Sequence, residues 1–324
     1  MTQPTPGPVE DREIPEYAPI ALLPLLALLL LGLLWGYNWV VMKAVLVDVS
    51  PAWFAALRTV LPALLLIAIL PVAGMRLRPP PLFYALPIGL FQTAGFVGFM
   101  MWALETGAAG ETAVIVFMMP LWLTLMAHFA LKERVTRIQL LAISLALPGL
   151  VLLISPWEES LALGAVLLAF ASGFGWALGA IWQKRYYHRY QPDLLSLTAW
   201  QMLYGGLLLM AIALWVEPFA VDPTPSFFWA LFYNVVLAGA LGWLLWVYSL
   251  HHLPTWIAGF GALLVPGIGV LSAWLVLGET PGPIKQLGIA LILSALLIIT
   301  LYQRRQRRNA RRRARHKRDE VNHG

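Results

Sequence analysis

The sequence contains no cysteine. Neither a disulfide nor a thiolate metal site can form, and cysteine usage says nothing about the redox compartment. Charge is scarce too: Asp, Glu, Lys and Arg make up 12% of the 324 residues, and apolar residues 60%. Soluble domains carry roughly 25% charged residues, and a soluble chain of this length has too much surface to cover with so few. The apolar residues come in blocks of about 20, enough to cross a hydrocarbon core of roughly 30 Å at 1.5 Å per residue. A third shortage is positional. No acidic residue lies deep in an apolar block: Glu105, Glu111, Glu133, Glu158, Glu159, Glu217 and Glu279 all fall at block ends or in loops. An intramembrane carboxylate is the usual proton relay or cation site. Its absence disfavours a proton-coupled exporter of cationic drugs built on an embedded glutamate.

What is present predicts an all-α membrane protein. Ten transmembrane helices are expected at about 20–43, 52–73, 82–104, 112–131, 136–155, 161–184, 194–216, 226–250, 256–277 and 283–302. Turn signals separate them, among them Ser50-Pro51, the proline-rich stretch Arg76 to Pro81, and Pro281-Gly282-Pro283. Backbone amides in lipid must be bonded internally, and spans this long with little β-alternation mean helices, not a barrel. The polar segment 1–19 has no basic n-region, which argues for a retained first span over a cleaved signal. Arg12, Arg76, Arg78, Lys132, Arg134, Arg137, Lys184, Arg185, Arg189 and the basic tail 303–324 then share one side. Only Lys43 and Lys285 fall at the other, so cytoplasmic N- and C-termini are expected. The tail lacks the interleaved aromatics of a nucleic-acid platform and suits a solvated extension or contact with anionic lipid.

The chain also repeats itself. Gly32, Trp35, Lys43 and Pro51 match Gly173, Trp176, Lys184 and Pro192, each 141 residues on. Pro120, Leu125, Ala127, Leu131, Glu133, Ile138 and Leu141 match Pro266, Leu271, Ala273, Leu277, Glu279, Ile284 and Leu287, each 146 residues on. The halves, 20–155 and 161–302, hold five spans each. That number is odd, so the second five-helix repeat is inverted relative to the first, an architecture typical of alternating-access transporters.

Leu33 to Lys43 (LLWGYNWVVMK), with Pro51 and Ala56-Leu57-Arg58, resembles the opening of an EamA domain. Leu277 to Leu291 (LGETPGPIKQLGIAL), with Pro266, resembles its close. The resemblance places the chain in the drug/metabolite transporter (DMT) superfamily. Length, span number and aromatic content are most similar to the bacterial aromatic amino-acid exporters of the YddG type. Ala177-Leu178-Gly179 departs from the pattern, standing where the first half has Gly36-Tyr37-Asn38.

Polar residues inside spans are the candidate site. Arg58 is the one basic residue clearly within a span; it either snorkels or ties helices together, or it meets a substrate carboxylate. Asn38, Gln92, Gln201 and Tyr204 serve as interhelical hydrogen bonds or as cavity lining. Phe96, Phe99 and Trp102 follow Gln92 at helical spacing and form one polar–aromatic stripe. Trp35, Trp176 and Trp246 are expected as further aromatic walls, suited to an amphipathic solute. Pro120 and Pro266 break the i→i−4 ladder at matched positions and act as static kinks or hinges. No His/Asp/Glu grouping suggests a metal, no motif implies a cofactor, and no Ser/His/Asp set suggests an enzyme.

The expected function is export of amino acids, aromatic and other neutral, or similar metabolites across the bacterial inner membrane, without proton coupling. A broad drug or metabolite exporter is the alternative in transport. A non-transporting membrane scaffold is the alternative of another class. The sequence specifies no oligomeric state.

Overall fold

The computed structural model describes residues 22–131, 135–155, 163–190, 193–253 and 255–302. Both tails, with Glu133, Glu158, Glu159 and Pro192, lie outside those residues. The helices are α1 (Leu22–Val47), α2 (Pro51–Val72), α3 (Leu82–Thr106), α4 (Ala109–Ala130) and α5 (Arg137–Ile154) in the first half. In the second half α6 covers Leu163–Tyr190, α7 Leu194–Val216, α8 Pro225–His252, α9 Thr255–Leu277 and α10 Pro283–Tyr302. Nine of the described segments are long and apolar enough to cross a membrane, and α9 adds a shorter apolar stretch, Leu263–Leu277.

Local chemistry sets the helix ends. Pro51 and Pro225 open α2 and α8 at the first turn, where a missing N–H costs nothing. Thr136 and Gln139 form a capping box on α5, and the Asp193 carboxylate accepts from the Ser196 N–H at the start of α7. Leucines 26, 29 and 33 and Trp215 are exposed, as a lipid-facing surface requires.

The halves run antiparallel. Helix α1 ends at the side where α6 begins: Lys43 Nζ donates to the Leu104 carbonyl near the end of α3 at 2.6 Å, and a Cβ at Gly107, after α3, would stand 2.9 Å from the Ala165 Cβ in the first turn of α6. The repeat mates α2 and α7 pack along each other. The pairing of α1 with α9 is mirrored by that of α6 with α4. At the periphery α5 and α10 touch backbone to backbone: a Cβ at Gly288 would stand 2.6 Å from the Gly149 carbonyl oxygen and 2.7 Å from the Leu153 nitrogen. Only a residue without a side chain fits. Gly288→Ala should destabilise the protein by about 1–3 kcal/mol and lower the melting temperature of the detergent-solubilised protein. Gly282→Ala, where a Cβ meets nothing within 4 Å, serves as the control that leaves it unchanged.

The two ends of the bundle differ. At the end holding the α1–α2, α3–α4, α7–α8 and α9–α10 turns, the halves are tied together by polar links. Glu217 accepts from Ala52 N at 3.0 Å and from Trp102 Nε1 at 3.1 Å. Glu279 accepts from Ala109 N at 2.9 Å and Gly110 N at 3.1 Å, and Lys285 pairs with Glu111 at 3.0 Å. Asp48 accepts from Ser226 at 2.7 Å, and Val49 bridges Val221. Phe54, Met101 and Leu104 are fully buried behind these links in the largest core cluster. Arg76, Arg78, Arg137, Lys184, Arg185 and Arg189 all sit toward the opposite end.

The helices nearest the centre are irregular. Residues Gly89–Gly95 of α3 and Tyr233–Leu241 of α8 form π-helical turns. Helix α4 breaks at Phe117–Met118, just before Pro120, whereas α9 runs unbroken through Pro266. The matched prolines therefore differ in local structure, an asymmetry the sequence repeat does not predict.

Candidate substrate cavity

A cavity of about 340 Å³ lies between the halves. It extends from the depth of Arg58 to Ile299 and Thr300 in the last turn of α10, so it reaches the bundle end opposite the polar links. The walls are mainly aromatic and aliphatic, with Trp35, Trp39, Phe96, Phe117, Trp176, Trp243 and Trp246 among them. Trp35 is fixed in place: its indole N–H donates to the Ala238 carbonyl at 2.9 Å, and its ring meets Trp243 edge-on at 5.5 Å. Asn38, Gln92, Gln201 and Pro120 also line the space. The amide side chains of Asn38, Gln92 and Gln201 are buried, and each has an oxygen without a hydrogen-bond partner.

Among the described residues Arg58 is the one charged side chain on the wall. Its Nε donates to Asn234 Oδ1 at 2.7 Å, and Asn234 Nδ2 in turn donates to the Ala230 carbonyl at 3.0 Å, which fixes the amide's orientation. Among the described residues no carboxylate pairs with Arg58. A guanidinium at depth costs about 3 kcal/mol on insertion scales. One hydrogen bond to an amide leaves most of its donors facing the cavity.

Three residues expected as lining are elsewhere, and Pro266, expected as a kink or hinge, is off the wall. Phe99 points away and is 37% exposed. Trp102 is bonded to Glu217 at the linked end. Tyr204 lies beside Trp200, ring centroids 6.0 Å apart, where α7 packs on α3. Pro266 lies inside α9 and is not on the wall. Gln92 and Phe96 share the wall across the π-helical turn, and Phe99 and Trp102 leave it within the regular α-helical segment Phe96–Thr106 that follows. Each step of three residues there turns the face back by about 60°. Beyond Phe96 the cavity therefore receives Val97 and Met100 in place of Phe99 and Trp102.

Asn234 and Trp243 are the main residues that sequence reasoning missed. A signal for them exists: Ala94-Gly95 and Gly98 recur as Ala238-Gly239 and Gly242, each 144 residues on. That match pairs the middle of α8 with the middle of α3, where Gln92 had been noticed.

A family model described as the EamA-like transporter family matches residues 22–155 and 163–301. The chain belongs to the EamA-like transporter family. Each matched segment covers one five-helix half. A "Probable amino-acid metabolite efflux pump" of Salmonella typhimurium is 32% identical over 299 residues, covering 87% of this chain and 96% of that protein. The "Uncharacterized transporter YoaV" of Bacillus subtilis is 25% identical, over 85% of this chain and 93% of its own length. The "Uncharacterized inner membrane transporter YedA" of Escherichia coli is 28% identical, over 86% and 92%. A solved crystal structure shares the fold with a TM-score of 0.62 at 20% identity, covering 87% of this chain and 98% of that one. This EamA-like protein is thus a multi-pass inner-membrane transporter of the DMT superfamily.

Proposed function

We propose that the protein exports amino acids, aromatic and other neutral ones, or similar small metabolites, by alternating access and without proton coupling. The observation that carries the reading is the Arg58 guanidinium, with no carboxylate partner among the described residues, on the wall of an aromatic cavity whose other described lining residues are uncharged. An amphipathic solute with one carboxylate matches it: the acid meets Arg58 and the apolar part meets the tryptophans. The basic residues gather at the end the cavity reaches, so this end faces the cytoplasm and substrate enters from inside the cell. The name of the Salmonella relative fits the same direction of transport. The break before Pro120, absent at Pro266, is a hinge in this scheme.

Among the described residues no Asp or Glu lines the cavity, and the exposed His128 is not on its wall. A tightly proton-coupled carrier needs a group at the pathway that binds and releases a proton. Purified protein in liposomes should therefore move labelled phenylalanine or leucine down its own gradient with no pH difference imposed. An added proton gradient should change the rate little. Flux that appears only with a proton gradient and vanishes with an uncoupler would overturn the uncoupled mechanism. The mostly apolar wall also fits broad drug or metabolite export, which the same assay separates by competition with cationic and neutral drugs. A scaffold has no use for a cavity bearing a buried cation.

A further inference from the structure

We infer that Asn38 recognises the α-ammonium group of the substrate, so that the cavity selects α-amino acids over carboxylates of the same shape. The inference rests on the amino-acid reading above and assigns the second half of the zwitterion, which Arg58 does not explain. Three observations carry it.

The first is an unmet acceptor. Asn38 is 5% exposed and lines the cavity, yet its Oδ1 has no hydrogen-bond partner among the described residues. A buried amide oxygen in that state is normally satisfied by protein or by a bound group. Arg58 and Asn234 already supply and consume donors on their side of the space. What Asn38 lacks is an N–H donor, and an ammonium carries three.

The second observation is depth. Arg58 lies seven residues inside α2 from Pro51, and Asn38 lies six residues from Ala44, where the α-helical part of α1 gives way to the turn Val45–Val47. At 1.5 Å per residue each is about 10 Å below that residue, counted from the linked end. Both residues thus line one cavity at one level, as the adjacent carboxylate and ammonium of an α-amino acid require. Gln92 is 14 residues from Thr106, the end of α3, and so lies deeper, about 20 Å from the same end. Trp35 is one residue-triplet below Asn38 on the same helix, toward the cavity mouth. The side chain of the bound solute then runs down the wall of Trp35, Trp243 and Trp246.

The third is the internal repeat. Asn38 corresponds to Gly179, where a Cβ would stand 2.5 Å from the Gln92 Cβ and 2.7 Å from its backbone nitrogen. The fold therefore builds the equivalent helix without an amide at this position, where glycine lets α6 approach α3. The repeat therefore does not require a polar group at this position, and the amide belongs to the first half alone.

The test compares three probes of one shape on purified protein in nanodiscs, followed by tryptophan fluorescence: phenylalanine, 3-phenylpropionate without the amine, and phenethylamine without the acid. Wild type should bind phenylalanine about tenfold or more tighter than 3-phenylpropionate, the discrimination expected when a buried acceptor is left unpaired. Asn38→Leu should erase that preference by weakening phenylalanine alone. Asn38→Asp, which keeps the shape and adds charge, should widen it and strengthen phenethylamine. If wild type binds phenylalanine and 3-phenylpropionate equally while still transporting phenylalanine, the ammonium assignment is overturned and the exporter reading stands. An unchanged preference in both variants overturns it as well. Failure of wild type to bind or transport any of the three overturns both readings together.

Discussion

Arg58→Leu should nearly abolish saturable transport of carboxylate-bearing substrates, lowering their binding by roughly 10- to 150-fold, equivalent to about 1.5–3 kcal/mol. A charge-assisted hydrogen bond is strongest where water is excluded, and the Arg58 guanidinium faces a cavity walled by indoles. The variant should still insert and fold, because losing an unpaired buried cation relieves a desolvation cost. Arg58→Lys keeps the charge but not the planar fork, so its loss should be partial. Asn234→Leu removes the acceptor that holds Nε at 2.7 Å, and it should weaken binding less than Arg58→Leu does. Equilibrium binding and initial rates in liposomes give both numbers. Normal phenylalanine transport by Arg58→Leu would leave the guanidinium a structural tie between α2 and α8, with no part in recognition.

The second large effect is expected from Glu217 and Glu279, neither of which touches the cavity. Both belong to the second half, and both accept backbone N–H groups at the first turn of a first-half helix, α2 and α4 respectively. A carboxylate at a helix N-terminus meets unpaired donors and the positive end of the dipole together. Trp102 adds its indole N–H to Glu217 at 3.1 Å. These bonds join the halves at the end opposite the one the cavity reaches, so the outward opening of the proposed alternating-access cycle would break them. The double variant Glu217→Gln/Glu279→Gln should shift the population toward a state open at that end. With no native cysteine, a single cysteine at Met100, the lining residue of α3 nearest that end, reports the change without background. Its reaction with an impermeant thiol reagent added outside should rise several-fold in the double variant. Unchanged labelling would mean that the apolar core, with Phe54 and Met101, closes that end by itself. Trp102→Phe should act in the same direction and more weakly, since it removes one bond and keeps the ring.

The spans were legible because lipid imposes a simple rule. A segment of about 20 apolar residues is long enough to cross, and only proline, glycine and charge interrupt it. The antiparallel halves followed from counting five spans in each and from Trp35 and Trp176 standing at a common offset. Asn38, Arg58, Gln92 and Gln201 could be singled out because a polar side chain at depth is costly and needs a reason. All four lie on the cavity wall. The same reasoning passed over Asn234, which lies in a stretch where the phase of α8 is shifted by its π-helical turn.

Sequence by itself determined the membrane class, the helix count, the inverted repeat and the rare polar residues, since each depends on composition or spacing along one segment. Tertiary structure alone decided which of those residues share a space. It put the cavity on the Val97 and Met100 side of Phe96, leaving Phe99 and Trp102 outside, and it broke α4 before Pro120 with no counterpart at Pro266. It also paired Arg58 with Asn234, 176 residues away in the chain, and left Asn38 Oδ1 without a donor. Hydrogen bonds between distant segments depend on how helices are phased and tilted against one another. A linear pattern at one fixed period carries no record of that phase once the period itself changes within a helix.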